Sequence, residues 1–186
     1  MNEHISMSPT VRRIIGPTIL LHSGVYFDFL DPEGSDFGIE DIAHGLSMIC
    51  RFAGQCDRFY SVAEHSVHVS NHVAPELAFA GLMHDAAEAF IGDVSKPLKD
   101  LLADYKVIEH RIETAVLGRY GLALPLHPDV KEIDTVMLVT EQRQLMKNRD
   151  TWDYTRGRTP IPMVIPCWSP EEAKARFLDR FAELFK

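Results

Sequence analysis

Between Ala80 and Asp93 the chain reads Ala-Gly-Leu-Met-His-Asp-Ala-Ala-Glu-Ala-Phe-Ile-Gly-Asp. At helical period this stretch is apolar nearly all round, which predicts a helix buried in the middle of the fold. Its centre nevertheless carries His84, Asp85 and Glu88. A buried carboxylate without a partner is expensive or becomes neutral. Two carboxylates and an imidazole on one buried helix therefore need a common partner, and a divalent cation satisfies all three. Adjacent helical side chains diverge by about 100°, so His84 and Asp85 can both reach one ion from the rim of a cleft. Glu88 follows at helical spacings of three and four and falls on the same face, within reach of a water on that ion. A core histidine paired with its neighbour would account for the dipeptide equally well, so the remaining chain decides.

Length and charge bound the alternatives. The 186 residues suffice for one domain with a full core, and no repeat or low-complexity tract divides them. A formal net charge of -8 opposes non-specific binding to a nucleic-acid backbone. It leaves room for a small phosphorylated substrate, because a metal and a few local cations reverse the sign inside one cleft. Cys50, Cys56 and Cys167 are odd in number and form no Cys-x-x-Cys pair. With neither a secretory apolar segment nor a bilayer-length run, the expected setting is a reducing cytoplasm without membrane association.

Local patterns predict the elements. Thr18 to Leu21 and Val25 to Leu30 flank His22-Ser23-Gly24 and read as a short β-hairpin, after a weakly patterned arm over residues 1 to 17. Ile39, Ile42, Leu46 and Ile49 predict a helix reaching Cys50. Ser61 and Glu64 make a capping-box pattern, so His65 falls in the first turns of the next helix. His68 and His72 follow on the same face and read as surface or supporting residues. Pro75 should open the central helix and Gly92 end it. Leu98, Leu101, Leu102, Tyr105, Ile108, Ile112 and Val116 predict one long amphipathic helix closed near Gly121. Asp129 is placed to cap a further helix ending near Met146. Its stripe of Ile133, Met137 and Leu138 also carries Asp134 and Glu141, and Asp134 lies too far in to be a cap. Residues 148–168 lack a helical period and predict a long, lid-like loop, with Arg149, Arg156 and Arg158 solvated. Ser169-Pro170-Glu171-Glu172 starts a last helix packed by Ala173, Phe177, Phe181 and Leu184. The expected fold is all-α: one domain over residues 1–186, a bundle of about six helices with a short amino-terminal β-hairpin.

His65, the adjacent His84 and Asp85, and Asp134 add up to two imidazoles and two carboxylates. This mixed nitrogen–oxygen set suits one divalent transition metal (Mn, Co, Fe, Ni or Zn), with room for an additional Mg, better than Ca or a thiolate-bound metal. Four protein ligands on a six-coordinate ion leave positions for water and a phosphate oxygen.

This ordered set resembles the H…HD…D motif of the HD-domain phosphohydrolases. The flanks extend the likeness: Tyr-Ser-Val-Ala-Glu-His-Ser (60–66), His-Asp-Ala-Ala-Glu-Ala-Phe-Ile-Gly-Asp (84–93) and Ile-Glu-Asp-Ile-Ala-His…Cys-Arg-Phe (39–52). They are similar to small bacterial and phage members, among them 5′-deoxynucleotidases and phage deoxyadenosine triphosphate triphosphohydrolases. The resemblance covers residues 18–147. It implies an HD-domain helical bundle in which His65, His84, Asp85 and Asp134 are the metal ligands. Glu88 would be the catalytic acid/base and Asp93 a carboxylate near the nucleotide. Arg51 would meet phosphate, and Phe52, where that group has Trp, would shape the nucleoside pocket. Pro97 and Lys99 match pocket and phosphate positions of the phage triphosphohydrolases.

The resemblance further implies a small-molecule nucleotide partner, no stable nucleic-acid binding, and a homo-oligomer. The expected reaction is hydrolysis of the 5′-phosphate of (deoxy)nucleoside monophosphates by a metal-activated water. Deoxynucleoside triphosphate hydrolysis is the runner-up. Hydrolysis of guanosine alarmones ranks low, because Ala89 stands where that branch has Asp. A non-catalytic metal- or nucleotide-binding sensor is the alternative of another class, but it has no evident use for Glu88 beside an open metal position.

Overall fold

The computed structural model describes residues 16–186, so most of the expected amino-terminal arm lies outside the described residues. The first element is a hairpin of β1 (Thr18–Leu20) and β2 (Tyr26–Asp28), antiparallel, with Ile19 opposite Phe27. Gly24 turns it at φ 87°, a conformation that disfavours any side chain. Phe27 reaches out of the hairpin into the protein, where it is fully buried and stacks on Phe90 at 4.1 Å. The remainder is helical: α1 (Ile39–Met48), α2 (Val62–His72), α3 (Ala78–Met83), α4 (Glu88–Ile91), α5 (Lys96–Lys99), α6 (Tyr105–Arg119), α7 (Pro128–Leu145) and α8 (Pro170–Leu184). The protein is thus mostly helical with one small hairpin, the class that its periodicities predict.

Sequence periodicity predicts six helices, and the described residues form eight α-helical segments. The difference arises in two places. The central apolar helix is broken: Pro75 opens a 3-10 turn, α3 stops at Met83, residues 84–87 form turns, and α4 ends at Gly92 with φ 79°. The amides of Ala86, Glu88 and Phe90 bond to carbonyls three residues back, tighter than α-helical. The second break separates α5 from α6. Leu98, Leu101 and Leu102 belong before the long helix and are all exposed, Leu101 at 82%, so little apolar burial holds this segment in one continuous helix.

The core joins α1, α2, α3, α6 and α8 through Ile42, Leu46, Val62, Val67, Leu82, Met83, Ile112, Val116 and Phe177. Two glycines permit close crossings. A Cβ on Gly45 of α1 would lie 2.9 Å from the Ala89 Cβ of α4, and one on Gly81 of α3 would lie 3.0 Å from Val73 and 3.2 Å from the Ser70 backbone. These contacts set α1 against α4 and α3 against α2, on either side of the turn where the polar residues of the central stretch emerge.

Helix ends follow the sequence in part. Ser61 Oγ accepts the Glu64 amide at 3.1 Å, as the cap requires. The Glu64 carboxylate does not close a capping box; it accepts the amides of Cys167 and Trp168 at 2.9 and 2.7 Å and ties the late loop to α2. The cap of α7 is His127, whose Nδ1 accepts from the Asp129 amide, rather than Asp129 itself. Pro128 occupies the first turn, where its missing amide proton is harmless. His68 is buried against Trp168 rather than at the surface.

The irregular segment 148–168 contains one 3-10 turn, Asp153–Thr155. It is fastened along α7: the Ile161 amide bonds Thr140 Oγ1, the Ile165 amide bonds Gln144 Oε1, and Arg158 forks onto Glu132. Arg156 pairs with Asp153, and Arg149 donates to the Met146 carbonyl.

Candidate metal centre

The turn after α3 aims its two polar side chains at α2 and α7. His65 enters from the second turn of α2, His84 and Asp85 from the turn, and Asp134 from the second turn of α7. One ligand atom from each of His65, His84 and Asp134 lies within 4.8 Å of the others, so this trio could hold a metal ion. The Nε2 atoms of His65 and His84 are 3.3 Å apart. Asp134 Oδ1 is 3.2 Å from His65 Nε2 and 3.9 Å from His84 Nε2. Asp85 Oδ2 lies 3.2 Å from His84 Nε2 and 3.6 Å from His65 Nε2.

Second contacts fix the orientation of both rings. His84 Nδ1 donates to the Gly81 carbonyl at 2.9 Å. His65 Nδ1 meets Glu141 Oε1 at 2.5 Å. With both Nδ1 positions engaged by acceptors, both Nε2 atoms face the carboxylate oxygens of Asp85 and Asp134. The imidazole nitrogens of His65 and His84 and the Asp134 carboxylate form a donor set for a cation, with Asp85 beside it, and a carboxylate behind a ligating imidazole is the support such sites use. The residues therefore fit a divalent metal.

Protons reflect the same field. Burial and Arg51 oppose a charged His65, but Glu141 and Asp134 outweigh them and raise its pKa to about 9. Burial likewise opposes ionisation of Asp85 and Asp134, yet the neighbouring imidazoles hold both below the usual carboxylate range. Glu141 is pulled to about 2: burial works against it, and Arg51 and His65 prevail.

Glu141 is noted from sequence on the same helix face as Asp134 but given no role there. It is fully buried, and it binds His65, the Tyr60 hydroxyl at 2.9 Å, and the Nε and Nη2 groups of Arg51 at 3.2 and 3.1 Å. The signal was its spacing: Glu141 stands two turns after Asp134 on an otherwise apolar helix face. Arg51 itself is buried, with Nη1 3.7 Å from Asp85 Oδ2. Phe52 follows it in a left-handed conformation (φ 57°), as does Ala53 (φ 51°), so the loop presents the Phe52 ring in a conformation that is unusual for two consecutive non-glycine residues.

Glu88, at the first turn of α4, has one carboxylate oxygen buried without a hydrogen-bond partner; the other is 3.8 Å from Lys99 Nζ. Burial, reinforced by Asp85 and Asp93, raises its pKa well above the ordinary value. Asp93, just beyond Gly92, is raised by the same desolvation and by Asp85. Lys99 is committed to carboxylates: its ammonium donates to Glu109 at 2.5 Å and sits over the Tyr105 ring. Pro97 is exposed within α5. Of the ten residues singled out from sequence, the structure brings the four candidate ligands and Arg51 into one contact group, and joins Glu88 to Lys99.

No protein-family model matches the chain. Two bacterial proteins do. An uncharacterized protein of Rhodobacter capsulatus is 37% identical over 137 residues, 66% of this chain and 70% of that protein. The uncharacterized protein YfdR of Escherichia coli K12 is 42% identical over 165 residues, 87% of this chain and 92% of that protein, and neither name carries an activity. At that identity and over nearly the whole length of both proteins, the chain belongs to the family of YfdR.

Proposed function

We propose that the chain is a metal-dependent phosphohydrolase of the HD type that removes the 5′-phosphate from (deoxy)nucleoside monophosphates. The observation that carries the reading is a carboxyl with a raised pKa, Glu88, near three convergent metal-ligand groups, Asp85 and a buried guanidinium. His65, His84, Asp85 and Asp134 would hold one divalent transition metal, Mn, Co, Fe, Ni or Zn. Such an ion supplies Lewis acidity toward a phosphoryl oxygen and makes water a stronger acid.

The protein's own groups complete the reaction. Desolvation and its carboxylate neighbours raise the Glu88 pKa above the ordinary value, which fits it to exchange a proton with the attacking water or the departing 5′-oxygen. Arg51 keeps two N–H groups on Glu141 and turns its Nη1 edge toward Asp85, where a phosphate oxygen can be held. Phe52 offers an apolar face to a nucleoside. Lys99 is neutralised by Glu109 and supports Glu88, so the site carries few free cations. That favours a monophosphate over the more highly charged triphosphate.

The test is metal-reconstituted protein against nucleoside mono-, di- and triphosphates, with products identified by ³¹P NMR. Orthophosphate from deoxynucleoside monophosphates is expected. Intact triphosphate released from deoxynucleoside triphosphates would move the reading to the triphosphohydrolases. No product despite bound metal would overturn it in favour of a sensor.

A further inference from the structure

The loop that carries Arg51 and Phe52 is closed at its base by thiols. Cys50 and Cys56 are six residues apart in sequence, and their Sγ atoms are 3.6 Å apart. Cys56 Sγ also approaches the Arg51 carbonyl at 3.7 Å. Both thiols are half-buried and free, and neither belongs to the metal centre. Between them the chain takes left-handed turns at Phe52, Ala53 and Gly54. The amides of Gly54 and Gln55 bond back to the carbonyls of Arg51 and Phe52. Cys167, in the late loop, packs with Cys56 on the small cluster around Tyr60, Leu145 and Ile165.

We propose that Cys50 and Cys56 form a reversible disulfide that locks the Arg51–Phe52 loop in response to a peroxide. The Cys50 sulfur attacks one peroxide oxygen: the S–O bond forms, the O–O bond breaks, and the departing hydroxide takes the Cys50 thiol proton to leave as water. Cys56 sulfur then attacks Cys50 sulfur: the S–S bond forms, the S–O bond breaks, and the second hydroxide leaves as water with the Cys56 proton. Two thiols are oxidised and one peroxide is reduced to two waters. Burial, with the neighbouring Cys50, raises the Cys56 thiol to about 11, so little of it is thiolate to meet the peroxide first. Closure restrains the backbone on both sides of Arg51, whose guanidinium bridges Glu141 and Asp85.

The cross-link stands apart from the proposed activity; its effect on turnover rests on that reading. Reduced full-length protein is treated with hydrogen peroxide and analysed by intact mass and peptide mapping. The expected result is loss of two hydrogens and a Cys50–Cys56 linked peptide, reversed by reductant, retained in Cys167→Ser and absent in Cys56→Ser. Full alkylation of both thiols after peroxide, or a link to Cys167 instead, would overturn the proposal. Amide exchange over residues 51–55 should slow on oxidation, and unchanged exchange in fully linked protein overturns the lock whether or not a substrate is known. Phosphate release should fall about tenfold in the oxidised protein, as expected for a slightly misplaced positioning group. It should recover with reductant and be indifferent to peroxide in Cys50→Ser.

Discussion

Glu141 is where single-residue chemistry concentrates. One carboxylate accepts from His65, Tyr60 and Arg51, so it orients a candidate ligand and anchors the cation nearest to it. Replacing it by glutamine keeps the shape and removes the charge. Glu141→Gln should weaken divalent-metal affinity about 10–100-fold, the usual effect of losing a carboxylate behind a ligating imidazole. It should also bring His65 down from about 9 toward its ordinary 6.5. Chelator competition and a histidine NMR titration measure both. Glu88 makes the complementary case, since it contacts no ligand atom of the trio. Glu88→Ala should retain metal by elemental analysis and lose at least about tenfold in kcat; near-wild-type turnover would remove it from the chemistry.

At the scale of elements, the site depends on how closely short helices cross. Gly45 lets α1 lie against α4, which begins at Glu88. An added Cβ would meet both the Cβ and the carbonyl oxygen of Ala89 at 2.9 Å, and backbone cannot swing aside as a side chain can. Gly45→Ala should therefore destabilise the protein by about 1–3 kcal/mol, read as a lower Tm. Gly118, exposed on α6, is the control: a Cβ there meets nothing within 4 Å. Gly118→Ala should stabilise by about 0.5–1 kcal/mol through helix propensity alone. Equal effects of the two substitutions would refute the crossing argument. The sequence marked both glycines only as helix residues, because a close approach between helices leaves no local pattern.

For the molecule as a whole, the His65–Glu141 pair couples stability to pH. His65 is held at about 9, above its ordinary 6.5, so its contribution is complete below 6.5 and is lost as pH rises through 9. Glu141 is held at about 2, below its ordinary 4.5, so its contribution is complete above 4.5 and is lost as pH falls through 2. In metal-stripped protein the contribution of this pair should therefore be greatest between pH 4.5 and 6.5. A divalent metal needs the His65 lone pair that the proton otherwise occupies, so binding releases a proton. The gain in Tm on adding metal should grow as pH rises from 6.5 toward 9; a gain constant across that range, measured by thermal scans, would exclude His65 as a ligand. No helix of the described residues is long and apolar enough to cross a membrane.

The amino-acid sequence by itself determined the mostly helical class, the hairpin, the caps at Ser61 and Ser169, and the identity of residues worth watching, because periodicity, turn chemistry and the placing of polar groups on apolar faces are local properties. His84, Asp85 and Asp134 were legible for that reason: each places a polar group on an apolar helix face. Only tertiary structure decided the rest. It broke the central stretch at residues 84–87, drew Glu141 behind His65, buried His68 under Trp168, committed Lys99 to Glu109, and set Cys50 beside Cys56. All of these except the Cys50–Cys56 approach depend on partners far apart in the chain or on how short helices stack. A buried polar group takes whichever partner the packed fold brings within hydrogen-bond reach, and sequence spacing does not carry that distance.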